Sequence, residues 1–188
     1  MLLSRLLARR LAPKPPKKEI YPTKALILDF DMTLFDTSVD NEVRKNKKNK
    51  DVNWEYVYSL IPKYKMYDGW REVFTWAKEN NIKIAIVSTA QGELIRRTLK
   101  HFKLSCDAVI GWQLYHRKPS GKLIDMAVEK MGVCRDNVIS IGDSIIDMQM
   151  SVNGGVRFYG ATWDSQEAKE ISKSDYLLSP LEIMNITI

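Results

Sequence analysis

The sequence predicts an α/β fold: one parallel sheet with helices on both faces. Three observations carry that expectation. Ala25-Leu26-Ile27-Leu28 is apolar throughout, as suits a strand enclosed on both sides. From Tyr67 onward, short apolar strands alternate with helical segments across short connections. Several of those strands end in small polar or acidic residues, and ligands bind at the carboxyl ends of strands in such sheets. At 188 residues, with 45% hydrophobic and 28% charged residues, the chain suits one domain with a proper core.

Taken in order, the chain opens on a distinct segment, residues 1–18. Leu2, Leu3, Leu6, Leu7 and Leu11 fall on one helical face among Arg5, Arg9 and Arg10. Pro13, Pro15 and Pro16 then stop any helix. A transit peptide, a membrane-surface helix, and an extension packing on the body or on a second subunit all fit this pattern. The segment holds six basic residues and no acid, which equals the whole net charge of +6. Residues 19–188 are therefore neutral by count, giving no strong signal for a nucleic-acid groove. Cys106 and Cys134 lack metal-type spacing and suggest no disulfide framework. The expectation is a reducing, cytoplasmic setting, or an organelle if residues 1–18 target one.

After the first strand comes a polar insert at about 37–66. Its run Arg44-Lys45-Asn46-Lys47-Lys48-Asn49-Lys50 carries five positive charges in seven residues. It reads as a solvated loop, with a basic flap that attracts an anionic substrate as the alternative. Trp54, Tyr56, Val57, Leu60 and Ile61 suggest a short helix whose aromatic residues serve packing. Helices are then expected near 70–79, 92–101, 121–131, 145–151 and 166–172. Strands are expected at 82–87, 108–110, 138–141, 156–159 and 176–178.

The chemistry gathers at strand ends. Asp29 and Asp31 follow the first strand at i, i+2, a spacing that sends both side chains to one face of an extended chain. Paired acids repel, so such a site holds a cation, or uses one acid as nucleophile and the other as acid/base. Capping a loop is the simpler alternative. Ser88 and Thr89 follow the next strand and could bond a phosphoryl oxygen; Lys118 suits a phosphate as a compact cation. Asp143 and Asp147 follow the strand at 138–141. Singly, these also read as an N-cap, a surface lysine and turn residues. Their order and placement together argue for a phosphate site.

Asp29-Phe30-Asp31-Met32-Thr33, Ser88, Lys118 and Gly142-Asp143-Ser144-Ile145-Ile146-Asp147 resemble the four motifs of the haloacid-dehalogenase-like hydrolase superfamily. Gly160-Ala161-Thr162-Trp163 is similar to the tail of its phosphoglycolate-phosphatase-like branch. The resemblance implies a Rossmann-like three-layer sandwich and a phosphatase working through an aspartyl-phosphate. Asp29 would be the nucleophile and Asp31 the general acid and base. Ser88 and Lys118 would stabilise the transferring phosphoryl group. Mg²⁺ would be held by the Asp29 and Asp143 carboxylates and the Asp31 backbone carbonyl. Thr33 would brace the loop, and Asp147 would orient Lys118 or a metal-bound water.

Met32 stands where the family often has glycine, and Ser120-Gly121 differ from the pair common after the motif lysine. The insert is shorter than a full helical cap, so a large phosphorylated substrate, or a second subunit acting as lid, is expected. A phosphomutase needs a cap that returns the phosphoryl group. A dehalogenase would leave Asp31 idle. A binding module that keeps the fold without turnover is the rival from another class.

Overall fold

Strand β1 (Ala25–Leu28) is completely buried, and its alternation divides the core in two. Leu26 and Leu28 join one apolar cluster, Ala25 and Ile27 another on the opposite face of the sheet. The computed structural model describes residues 22–44, 52–113, 115–164 and 175–186. The amphipathic segment at 1–18, the lysines of 45–50 and the helix expected at 166–172 lie outside the described residues.

The chain continues through β2 (Phe35–Asp36), α1 (Asn41–Arg44), α2 (Trp54–Ser59), β3 (Lys65–Met66), α3 (Trp70–Glu79) and β4 (Lys83–Val87). It goes on through α4 (Gly92–His101), β5 (Ala108–Ile110), α5 (Lys122–Met131), β6 (Val138–Gly142) and α6 (Ile145–Gly154). β7 (Arg157–Ala161), β8 (Tyr176–Leu177) and α7 (Ile183–Ile186) complete the described strands and α-helices. The main sheet has six strands in the order β5-β4-β1-β6-β7-β8, every described pairing parallel. This is the expected Rossmann-like α/β architecture, with β1 at the centre.

Each long helix buries a stripe set by its own spacing. α3 buries Trp70, Val73, Phe74 and Ala77; α4 buries Leu94, Ile95, Thr98 and Leu99. Both lie on the Leu26/Leu28 face. α5 buries Leu123, Ile124, Ala127 and Met131 against the Ala25/Ile27 face, together with Met150 of α6. α6 runs three residues past the expected end and stops at Gly155, whose φ of +67° suits glycine at a helix C-terminus.

The insert is more than a polar excursion. Val57, Leu60, Ile61 and Tyr64 are buried in the same cluster as Leu94 and Ile95 of α4. Tyr58 donates to Gln91 Oε1 at 2.6 Å, and Arg97 stacks 4.2 Å above its ring. The antiparallel pair β2–β3 closes the insert at its base. Val57, Leu60 and Ile61 of its apolar stripe thus belong to the hydrophobic core of the body, with Trp54 packed against it, whereas Tyr56, expected to pack, is exposed.

Candidate active site

Register places the motif residues side by side. Leu28 of β1 pairs with Ile86 of β4 on one side and Ile141 of β6 on the other. Asp29, Ser88 and Asp143 therefore leave three adjacent strands at nearly the same level. The Asp29 amide donates to the Ile141 carbonyl at 2.9 Å, fixing the chain as it departs the sheet. Ser88 is buried, and its Oγ accepts from the Ala90 amide at 3.0 Å, which shapes the loop before α4.

Lys118 reaches in from the loop between β5 and α5. Its Nζ lies 2.5 Å from Asp29 Oδ1 and 2.5 Å from Asp147 Oδ1. Burial alone would lower the proton affinity of this amine, but Asp147 and Asp29 raise it, so it stays charged. Asp147 Oδ2 accepts from the Ser144 hydroxyl at 2.5 Å and the Ser144 amide at 3.2 Å. Both Asp147 oxygens are thus engaged by the protein. Gly142 makes room for this: a Cβ there would sit 2.5 Å from the Asp147 Cβ.

Ligand oxygens of Asp29, Asp143 and Asp147 all lie within 4.8 Å of one another. Burial first, then the neighbouring carboxylates against the opposing Lys118, push the Asp29 carboxyl above its ordinary range. Burial and Asp147 push Asp143 up to about 6. A cluster that raises proton affinity in this way favours a cation over bare ionisation, so the donor set fits a hard divalent ion. Because Asp147 is already held on both oxygens, Asp29 and Asp143 are the better ligands.

The i, i+2 spacing of Asp29 and Asp31 is not carried by an extended strand. β1 ends at Leu28, and the chain bends rather than staying extended, with the Leu34 amide donating to the Phe30 carbonyl at 3.2 Å. Met32 takes φ +59°, the left-handed region where glycine is at ease, a local strain of roughly 1–2 kcal/mol. Asp31 stays near enough for its charge to help push the Asp29 carboxyl up, while its side chain bonds into the insert. Its Oδ1 accepts from Thr37 Oγ1 at 2.6 Å and Arg44 Nη2 at 2.5 Å; its Oδ2 accepts from Arg44 Nη1 at 3.0 Å. The Thr33 hydroxyl donates to Asp143 Oδ1 at 3.3 Å. Its carbonyl accepts from two indoles, Trp70 Nε1 at 2.9 Å and Trp163 Nε1 at 3.0 Å.

Arg44 was expected in a solvated run, yet its side chain is only 8% exposed. Nε donates to both oxygens of Asp40 at 3.1 Å, and Asp40 is fully buried and also accepts from the Tyr64 hydroxyl. Thr37, Asp40 and Tyr64 are site neighbours that no motif in the sequence marks. The i, i+4 spacing of Asp40 and Arg44 was the available signal.

A family model described as haloacid dehalogenase-like hydrolase matches residues 39–161. The pyrophosphatase PpaX of Listeria monocytogenes serotype 4a is 28% identical over 120 residues, covering 61% of this chain and 55% of that protein. A phosphorylated carbohydrates phosphatase of Thermotoga maritima is 27% identical over 127 residues, covering 63% and 57%. This chain thus aligns with little more than half the length of the curated relatives it matches. Among solved structures, CbbY from Rhodobacter sphaeroides in complex with phosphate has a TM-score of 0.72 at 15% identity, covering 86% of this chain and 96% of that one. A subfamily IA hydrolase from Geobacter sulfurreducens has 0.68 at 18% identity, covering 87% and 99%. These structures share the fold. The family match spans most of the chain and contains Ser88, Lys118, Asp143 and Asp147, and the chain belongs to the haloacid dehalogenase-like hydrolases.

Proposed function

We propose that the chain is a Mg²⁺-dependent phosphatase that hydrolyses a phosphate monoester through an aspartyl-phosphate on Asp29. The observation that carries this reading is the meeting of Asp29, Lys118, Asp143 and Asp147 at the end of the central strand, with Lys118 Nζ 2.5 Å from the Asp29 carboxylate. Asp29 Oδ attacks phosphorus as the bond to the leaving oxygen breaks. Asp31 gives that oxygen its proton, then takes a proton from the water that attacks the acyl phosphate and frees Asp29. Ser88 and Lys118 hold the equatorial phosphoryl oxygens, where negative charge must be stabilised. Asp147 keeps Lys118 aimed. Asp29, Asp143 and the Asp31 carbonyl would hold Mg²⁺, which offsets the charge between a phosphate dianion and an anionic nucleophile.

The test is phosphate release from p-nitrophenyl phosphate and an alkyl phosphate with Mg²⁺. Asp29→Asn should abolish both. Asp31→Asn should slow the alkyl ester about 10²–10⁴-fold and the aryl ester far less, because a good leaving group needs little acid help. Full turnover by Asp29→Asn would overturn the covalent route, and equal losses in Asp31→Asn would give Asp31 another role.

A further inference from the structure

The stretch after β7 reaches back to both ends of the insert. Trp163 Nε1 donates to the carbonyl of Thr33, just before the insert, at 3.0 Å. Next to it, Asp164 Oδ2 accepts from the hydroxyl of Tyr67, just after the insert, at 2.5 Å. The Trp163 ring lies edge-on to Trp70 at 5.8 Å and tilted against Tyr67 at 6.4 Å. The proposed phosphatase chemistry does not call on Trp163, yet the turn that it holds carries Asp31 and Thr33. We propose that Trp163 is a positioning residue: its indole N–H holds Thr33 so that the Thr33 hydroxyl meets Asp143, and thereby raises the Mg²⁺ affinity of the site. This rests on the Mg²⁺-dependent reading of the site.

The turn at 30–35 needs holding. Met32 sits there at φ +59°, a conformation that persists only where its surroundings enforce it. Within the turn, the Met32 amide donates to the Phe35 carbonyl at 2.8 Å, and the Leu34 and Phe35 amides share the Phe30 carbonyl at 3.2 Å and 3.1 Å. From outside, two indoles converge on the Thr33 carbonyl, Trp70 at 2.9 Å and Trp163 at 3.0 Å. Two donors on one oxygen fix the plane of the peptide that follows Thr33. The fully buried Thr33 then has its hydroxyl 3.3 Å from Asp143 Oδ1. A partner that orients a carboxylate in this way sets how well it binds a metal. The two indoles differ in what else they do. Trp70 is fully buried in the α3 stripe, so its loss empties core volume. Trp163 is only partly buried against that core, so its N–H can be removed while most of the packing is kept.

Trp163→Phe deletes the N–H and leaves an aromatic ring in its place. Calorimetric titration with MgCl₂ should show binding about 3–10-fold weaker than in wild type, the worth of one hydrogen bond. Without metal, hydrogen exchange at the Met32, Leu34 and Phe35 amides should quicken by a similar factor. In a Thr33→Val background the loss of Mg²⁺ affinity from Trp163→Phe should shrink below about twofold, because the indole acts through the Thr33 hydroxyl. Tyr67→Phe cuts the bond to Asp164, leaves Thr33 untouched, and should keep the Mg²⁺ affinity of wild type. Unchanged Mg²⁺ affinity in Trp163→Phe, or an equal fall in Tyr67→Phe, overturns the assignment; so does a full loss that persists in Thr33→Val. Should Trp163→Phe fail to fold, Trp163→Met takes its place with the same expectations. If wild type binds no Mg²⁺, the metal reading fails by itself. Exchange at the three amides then decides the role of Trp163: a faster rate in Trp163→Phe supports it, and an unchanged rate overturns it.

Discussion

Adding Mg²⁺ should stabilise the protein more near neutral pH than in mild acid, and Asp143 sets the difference. Burial, then the Asp147 carboxylate, push its carboxyl from the ordinary 3.8 up to about 6. Between those values the folded chain holds a proton that the unfolded chain has lost. Stability therefore falls as pH rises from about 4 to about 6 and stays lowered above that, by about 3 kcal/mol from this group. A cation bound at Asp143 competes with the same proton. At about pH 5 only about one Asp143 in ten is ionised, so binding is about tenfold weaker than at about pH 7.5. With excess Mg²⁺ at both, the lost stabilisation is on the order of 1 kcal/mol, or roughly 2–4 °C in Tm for a chain this size. Asp29, whose carboxyl is also raised by burial and neighbouring acids, adds in the same direction. Calorimetric melts with and without millimolar MgCl₂ at the two pH values, with Asp143→Asn alongside, measure the effect. A Mg²⁺ shift of equal size at both pH values, or one that survives in Asp143→Asn, would refute the reasoning.

Lys118→Met removes the cation between Asp29 and Asp147 and should cost about 3–5 kcal/mol in urea unfolding without metal, with Mg²⁺ recovering part of it. A loss under about 1 kcal/mol would mean that the carboxylates do not depend on it. Leu60→Ala in the insert should cost about 2–5 kcal/mol with one cooperative transition, because Leu60 shares a core with α4. A separate early transition would show that the insert unfolds by itself.

The parts of the molecule legible in the sequence are those whose cause is local. Trp70, Val73, Phe74 and Ala77 define the α3 face by spacing alone, and the structure bounds that helix as expected, at Trp70–Glu79. Asp29, Ser88, Lys118 and Asp143 stood out because each follows an apolar strand or precedes a helix in a fixed order. Arg44 was illegible for the opposite reason. It opens a run of lysines, and charge runs are usually solvated. What buries it is the meeting of Asp31, before the insert, with Tyr64, at its far end, and no local pattern encodes that meeting. The bend after Phe30 was hidden likewise, since an i, i+2 spacing predicts a shared face only while the strand continues.

The same non-local contacts explain how a cluster of acids can be held together. Asp29, Asp143 and Asp147 repel one another, and that repulsion would spread the loops that carry them unless the loops were fixed from outside. Two indoles, Trp70 from α3 and Trp163 from the stretch after β7, converge on the Thr33 carbonyl and clamp the first loop. The Thr33 hydroxyl then ties that loop to Asp143, and Ser144 ties Asp147 to the start of α6. Arg44 and Asp40 fix the last acid, Asp31, to an insert that is itself part of the core. The insert therefore acts less as a lid over the site than as one of its walls.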